Sequence, residues 1–91
     1  MTADITFHYP PELFNLLVDT IPVLSRSKKD VLLFFRGAGV TGGVVDDMAN
    51  RLKAAPSELN KFEIVRTILD DLNTRGEATL RERREVLRRV V

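Results

Sequence analysis

Helix start and stop residues recur roughly every ten to twenty positions along this chain, and strict apolar–polar alternation is almost absent. A half-buried strand needs a period of two, whereas an amphipathic helix needs apolar residues three and four apart. The chain reads as all-α. Its 91 residues make one domain. A chain of that size buries about two-thirds of the surface it would expose unfolded, enough for one modest core. A hydrophobic fraction of 44% with 30% charged residues fits a packed globule rather than a disordered segment. The expected fold is a compact antiparallel bundle of five to six helices, with residues 1–9 as an extended arm and 10–91 as the helical domain.

The helices are placed by local chemistry. Pro10-Pro11 suits a helix entrance, because proline in the first turn loses no hydrogen bond. Leu13, Phe14, Leu16, Leu17 and Ile21 follow at helical spacing, and Pro22 is expected to interrupt or kink this helix. Ser27 is an N-cap with Asp30 three residues on, opening a helix from Lys28 to Arg36 that stops at Gly37. Its run Val31-Leu32-Leu33-Phe34-Phe35 points in every direction around the axis, which predicts a helix buried on most sides at the centre of the bundle. Thr41 caps a third helix, Gly43 to Ala54, with Val45, Met48 and Leu52 inward. A short turn starts near Ser57. Asn60 and Glu63 form a capping box for a fourth helix, whose Phe62, Ile64, Val65, Ile68, Leu69 and Leu72 share one arc and whose Glu63, Asp70 and Thr74 face away. Gly76 ends it. Thr79 with Glu82 reads as a T-x-x-E box opening the last helix, where Leu80, Val86, Leu87, Val90 and Val91 share a side. No stop signal follows Arg89, so the chain reads as an N-terminal module of a longer protein, with effector chemistry after Val91.

Several function classes are excluded at this level. Cysteine is absent, which removes disulfides and thiolate metal sites and fits a reducing cytoplasm. The start is acidic and lacks the basic segment of a signal peptide, and the longest apolar run, Val31–Phe35, is far too short for a membrane span. The lone histidine, His8, has no nucleophile, thiol or carboxylate at motif spacing and reads as a solvated arm residue. The glycine-rich turn Gly37-Ala38-Gly39-Val40-Thr41-Gly42-Gly43 follows a helix and precedes Val44-Val45-Asp46-Asp47, so it lacks the strand and the Lys-Ser/Thr of a phosphate loop. Adjacent acids on a helix point about 100° apart, so neither Asp46-Asp47 nor Asp70-Asp71 converges on a metal. No catalytic, cofactor or metal residue is expected, and binding rather than catalysis is the role read here.

Charge carries the remaining information. The net charge of +1 is too small for general nucleic-acid affinity, but residues 1–24 hold no Lys or Arg and residues 75–91 hold six Arg against three Glu. The molecule should be electrically two-sided. Arg26, Lys28 and Lys29 surround a helix start, where a cation opposes the helix dipole at about 0.3–1 kcal/mol each, so they are candidate contact residues. Asp46, Asp47, Asp70 and Asp71 are the candidate acidic counterpart. The last helix offers phosphate contacts, yet Glu85 lies within reach of Arg81, Arg88 and Arg89 and Glu77 precedes Arg81 by four, so much of its charge is locally paired. Arg83 falls on the apolar side with Val86 and Val90; it snorkels, pairs with an acid of a neighbouring helix, or meets the continuation of the chain.

The stretches FHYPPELFNLLVDTIPVLSRSKKDVLLFFRGAGV and NKFEIVRTILDDLNTRGEATLRERREVLRRVV resemble an N-terminal segment of bacterial proteins that precedes effector regions, some of them restriction-endonuclease-like. The expected architecture is similar to death-fold modules, the caspase-recruitment (CARD-like) class and bacterial effector-associated domains above all. That resemblance implies homotypic assembly through acidic-to-basic contacts in an anti-phage defence protein. The partner would then be a second copy or a similar helical domain, with no membrane and no cofactor involved. Two other readings stay open: a DNA-binding domain that delivers a nuclease through its last helix, and a structural cap packed on its own effector.

Overall fold

The chain builds its core around the helix Lys61–Arg75. A computed structural model describes residues 9–40 and 43–90. The expectations for the arm residues 1–8, with Phe7 and His8, for the Thr41 cap, for Gly42 and for Val91 lie outside the described residues. Among the described residues there are five α-helices and no strand: α1 (Pro11–Leu24), α2 (Lys28–Gly37), α3 (Gly43–Ala54), α4 (Lys61–Arg75) and α5 (Leu80–Val90), with 3₁₀ turns at Pro56–Glu58 and Gly76–Thr79. The radius of gyration is 12.7 Å, against about 12 Å expected for a packed domain of this length. No helix among the described residues is long and apolar enough to cross a membrane.

Helix ends follow their caps. Pro10 is the N-cap of α1, with Pro11 at the first helical position. Ser27 accepts a hydrogen bond from the Asp30 amide, one half of the expected box. Asn60 and Glu63 complete theirs in both directions, at 2.8 and 3.0 Å. The end of α2 is a Schellman-type reversal: Val40 N–H donates to Phe35 O at 2.9 Å and Gly39 N–H to Arg36 O at 3.0 Å. The residue that takes the left-handed conformation there is Gly39, at φ +93°, while Gly37 remains helical.

Three local expectations are corrected. Pro22 does not interrupt α1, which runs on to Leu24. Proline removes one backbone donor, the one that would reach the Val18 carbonyl, and only two helical residues follow it; the Ile21 and Pro22 carbonyls there accept from the Ser25 hydroxyl and amide. Thr79 does not cap α5. Its side chain is buried, and the hydroxyl donates 2.6 Å to Leu72 O, stitching the start of α5 to the end of α4. The helix at the centre is α4 rather than α2. Ile64, Val65, Ile68, Leu69 and Leu72 are all fully buried, and α4 packs against α1, α2 and α3. Full burial of such side chains contributes about 1.5–3 kcal/mol each before entropy is set against it.

The run Val31–Phe35 is accordingly not buried all round. Val31, Leu32 and Phe35 enter the core, Phe34 is half-buried against it, and Leu33 stays 61% exposed. Leu16 and Phe62, both expected inward, are 60% and 47% exposed. Each sits at the edge of its apolar arc, where a neighbouring helix must be wide enough to cover it. Val45, Met48 and Leu52 of α3 are buried as expected, as is Val86 of α5.

Candidate functional site

One face of the molecule collects cations from four separate segments. Arg26 lies in the α1–α2 loop, Lys28 and Lys29 in the first turn of α2, Arg36 in its last turn, Lys53 in the last turn of α3 and Lys61 at the start of α4. Together they line two adjoining grooves that share Lys29, Leu52 and Lys53. The larger groove encloses about 820 Å³ and the smaller about 280 Å³. Among the described residues, no acidic one lines either groove. The walls between the cations are apolar: Leu33, Leu52, Pro56 and Phe62.

Two of the six cations build the groove. Lys28 Nζ donates to Pro56 O at 2.6 Å, holding the α3–α4 connection against α2. Lys61 Nζ donates to Ser25 O at 2.9 Å, holding the α1–α2 loop against α4. The capped starts of α2 and α4 thus meet at one place, and both present the positive ends of their dipoles to it. Lysines there raise the local positive potential further, at a small cost to each helix. Arg36 pairs with Asp46 at 3.2 Å, in the open. Among the described residues, Arg26, Lys29 and Lys53 are exposed and form no ion pair.

The residues singled out from the sequence divide into four groups. Arg26 and Lys29 are exposed groove residues, and Lys28 is half-buried as a groove strut. Asp46 is held by Arg36 at the groove edge, while Asp47 and Asp70 are exposed. Asp71 is half-buried; Arg75 Nε lies 3.0 Å from its Oδ2 as an ion pair, although the N–H is not aimed at that oxygen. No hydrogen bond or ion pair among the described residues joins the two acidic pairs.

Arg83 is no surface residue. It is 3% exposed, and its guanidinium donates to Gly76 O and, at 3.4 Å, to Thr79 Oγ1. It also sits 5.9 Å from the ring centre of Tyr9. The Tyr9 hydroxyl donates 2.8 Å to the Arg83 carbonyl, and the Tyr9 amide donates 2.9 Å to Asn73 Oδ1. Burial pushes the Tyr9 phenol well above its ordinary range, with the Arg83 charge opposing it in part. Burial likewise lowers Arg83, against the pull of Tyr9 and Glu82. The expectation that Arg83 snorkels or meets an acid of a neighbouring helix is corrected: the Gly76 carbonyl, the Thr79 hydroxyl and an aromatic face receive it.

Arg36, Lys53 and Lys61, with Leu33 and Phe62, were not singled out from the sequence. The available signal was Phe62 at the edge of its arc, next to Lys61 at a helix start. On α5, Glu85 holds Arg88 at 3.6 Å and Arg89 at 3.2 Å, while Arg81 and Arg84 are exposed. A small polar niche of about 130 Å³ between Val40, Arg75, Thr79 and Glu82 contains a buried Glu82 Oε1 that has no hydrogen-bond partner among the described residues. No group of three or more His, Cys, Asp or Glu among the described residues is placed to hold a metal ion. No protein-family model, curated protein or solved structure matches the chain.

Proposed function

We propose that this chain is a protein–protein recruitment module, death-fold-like (CARD-like) in architecture, acting in the cytoplasm as part of a bacterial anti-phage defence protein. Its partner is a second copy or a similar helical domain, and its task is to bring attached effector domains together. It acts by proximity, without catalysis or a cofactor of its own. Contacts between modules are individually weak, and tethering raises the effective concentration of what they carry.

The observation that supports this reading is the groove, where six cations and exposed apolar side chains share one surface and, among the described residues, no acid lines it, Asp46 at its edge being paired with Arg36. Exposed apolar area supplies affinity, and one-signed charge supplies register and partner choice. A face built only for solubility would mix the two signs.

Sedimentation velocity over a concentration series tests the reading. The expected result is reversible self-association that Lys29→Glu with Lys53→Glu weakens on the order of tenfold or more, with helicity and melting unchanged. A chain that stays monomeric even when several copies are displayed on one scaffold overturns it. The exposed arginines of α5 support a second reading, duplex DNA binding. Affinity for DNA that falls steeply with salt and is lost on Arg84→Glu with Arg88→Glu would establish that reading instead.

A further inference from the structure

Helix α1 carries a stripe that is the chemical inverse of the groove. Glu12, Leu16, Asp19 and Val23 are all exposed, Leu16 by 60% and Val23 by 77%. At about 100° per residue they fall within an arc of roughly 60°, opposite the buried Leu17 and Ile21. The stripe alternates acid and apolar residue over about 16 Å. No Lys or Arg occurs in α1. Of the five exposed large apolar residues among the described ones, Leu16 and Val23 lie on this stripe, Leu33 and Phe62 in the groove, and Leu24 on neither.

We infer that the α1 stripe of one copy docks into the basic groove of the next, head to tail. The inference rests on the homotypic reading above and names the two surfaces that meet. Charge complementarity selects the occupant. Glu12 and Asp19 would face the free cations Arg26, Lys29 and Lys53, and Leu16 and Val23 would cover Leu33 and Phe62. A groove facing a second groove would set cation against cation, so a two-fold symmetric contact through this face is disfavoured. The acids of α3 and α4 fit less well, because Asp46 and Asp71 already have partners within the chain. The stripe is formed by α1, which packs on α4 and α5, whereas the α1–α2 loop, α2, α3, the α3–α4 connection and the start of α4 line the groove. Each copy therefore offers one donor and one acceptor surface. A contact between unlike surfaces propagates into a ring or filament rather than closing at a dimer.

Two charge-reversed variants test this by sedimentation velocity and mass photometry. One is Lys29→Glu with Lys53→Glu in the groove. The other is Glu12→Lys with Asp19→Lys on the stripe. Each alone should self-associate on the order of tenfold more weakly, or worse, than the natural chain. Mixed in equal amounts, they should regain assembly that neither shows alone. The groove variant keeps an intact stripe and the stripe variant an intact groove. The remaining pair is complementary as well, because the groove glutamates at positions 29 and 53 face the stripe lysines, so alternating copies can continue head to tail. An uncharged companion, Leu16→Ser with Val23→Ser, should weaken assembly without changing net charge. If the groove variant loses assembly while both stripe variants keep it, the inference falls and the recruitment reading stands. If the natural chain fails to assemble even when tethered in several copies, the recruitment reading falls first.

Discussion

At the scale of single residues, Tyr9 and Arg83 close the molecule. A tyrosine at the edge of the described chain and an arginine near its other end are joined across 74 positions by a buried hydrogen bond. The Tyr9 hydroxyl is a second donor to a carbonyl that the helix α5 already uses, so the bond contributes the ordinary net value of about 0.5–1.5 kcal/mol. It also gives stability a pH dependence with a definite sign. The Tyr9 phenol is raised in the folded state by burial. Between its ordinary value, about 10, and the folded value, the unfolded chain loses a proton that the folded chain keeps, so stability falls as pH rises. Below about pH 10 the contribution is fully present. Alkaline unfolding should therefore begin above that pH, and tyrosinate absorbance should rise with the loss of helicity rather than before it. Tyr9 is the only tyrosine, so the absorbance reports this site alone. Tyr9→Phe should lower the melting temperature by several degrees at neutral pH and flatten the alkaline decline. A tyrosinate signal at its ordinary pH in the folded chain would contradict the buried contact.

At the scale of elements, what could be read from the sequence was whatever depends on neighbours a few positions away. Ser27, Asn60 with Glu63, Pro10-Pro11 and Gly76 marked helix ends that the structure places within a residue of the expectation. Thr79 failed because its hydroxyl found a carbonyl of another helix, and a motif cannot know what lies across the turn. The centre of the bundle failed for the same reason. Val31–Phe35 is the most apolar run, but centrality is decided by how many neighbours a helix acquires, and α4 acquires α1, α2 and α3. The α2–α3 turn shows how local conformation and free space separate. Gly39 has φ +93° and nothing within 4 Å of an added Cβ; Gly43 opens α3 at ordinary φ, also with nothing within 4 Å. Gly39→Ala should therefore destabilise by about 1 kcal/mol through backbone strain alone. Gly43→Ala should stabilise by about 0.5 kcal/mol by restricting the unfolded chain. Thermal melts of the two variants should move in opposite directions, and a shared direction would refute the assignment of Gly39 as the strained position.

At the scale of the whole molecule, charge and apolar surface do different work on the same face. The groove was only partly legible beforehand because its cations come from four segments, between Arg26 and Lys61, and convergence of that kind exists only after folding. The single cluster visible in sequence, Arg26 with Lys28 and Lys29, is one rim of it. Long-range attraction between exposed charges governs how fast two copies meet, is screened beyond about 8–10 Å at ordinary ionic strength, and contributes little once contact is made. Apolar side chains act only at contact, and so govern how long two copies stay together. Self-association should accordingly respond to the two kinds of substitution in separate ways. Lys53→Gln should slow association by severalfold and reduce its dependence on salt, leaving dissociation nearly unchanged. Phe62→Ala should speed dissociation by on the order of tenfold while leaving association and its salt dependence intact. Phe62 is already 47% exposed, so its removal should cost the monomer little stability. Stopped-flow mixing of labelled chains at two ionic strengths resolves both rates. If Phe62→Ala changed only the association rate, the aromatic ring would have no place in the interface and the groove would act as a purely electrostatic surface.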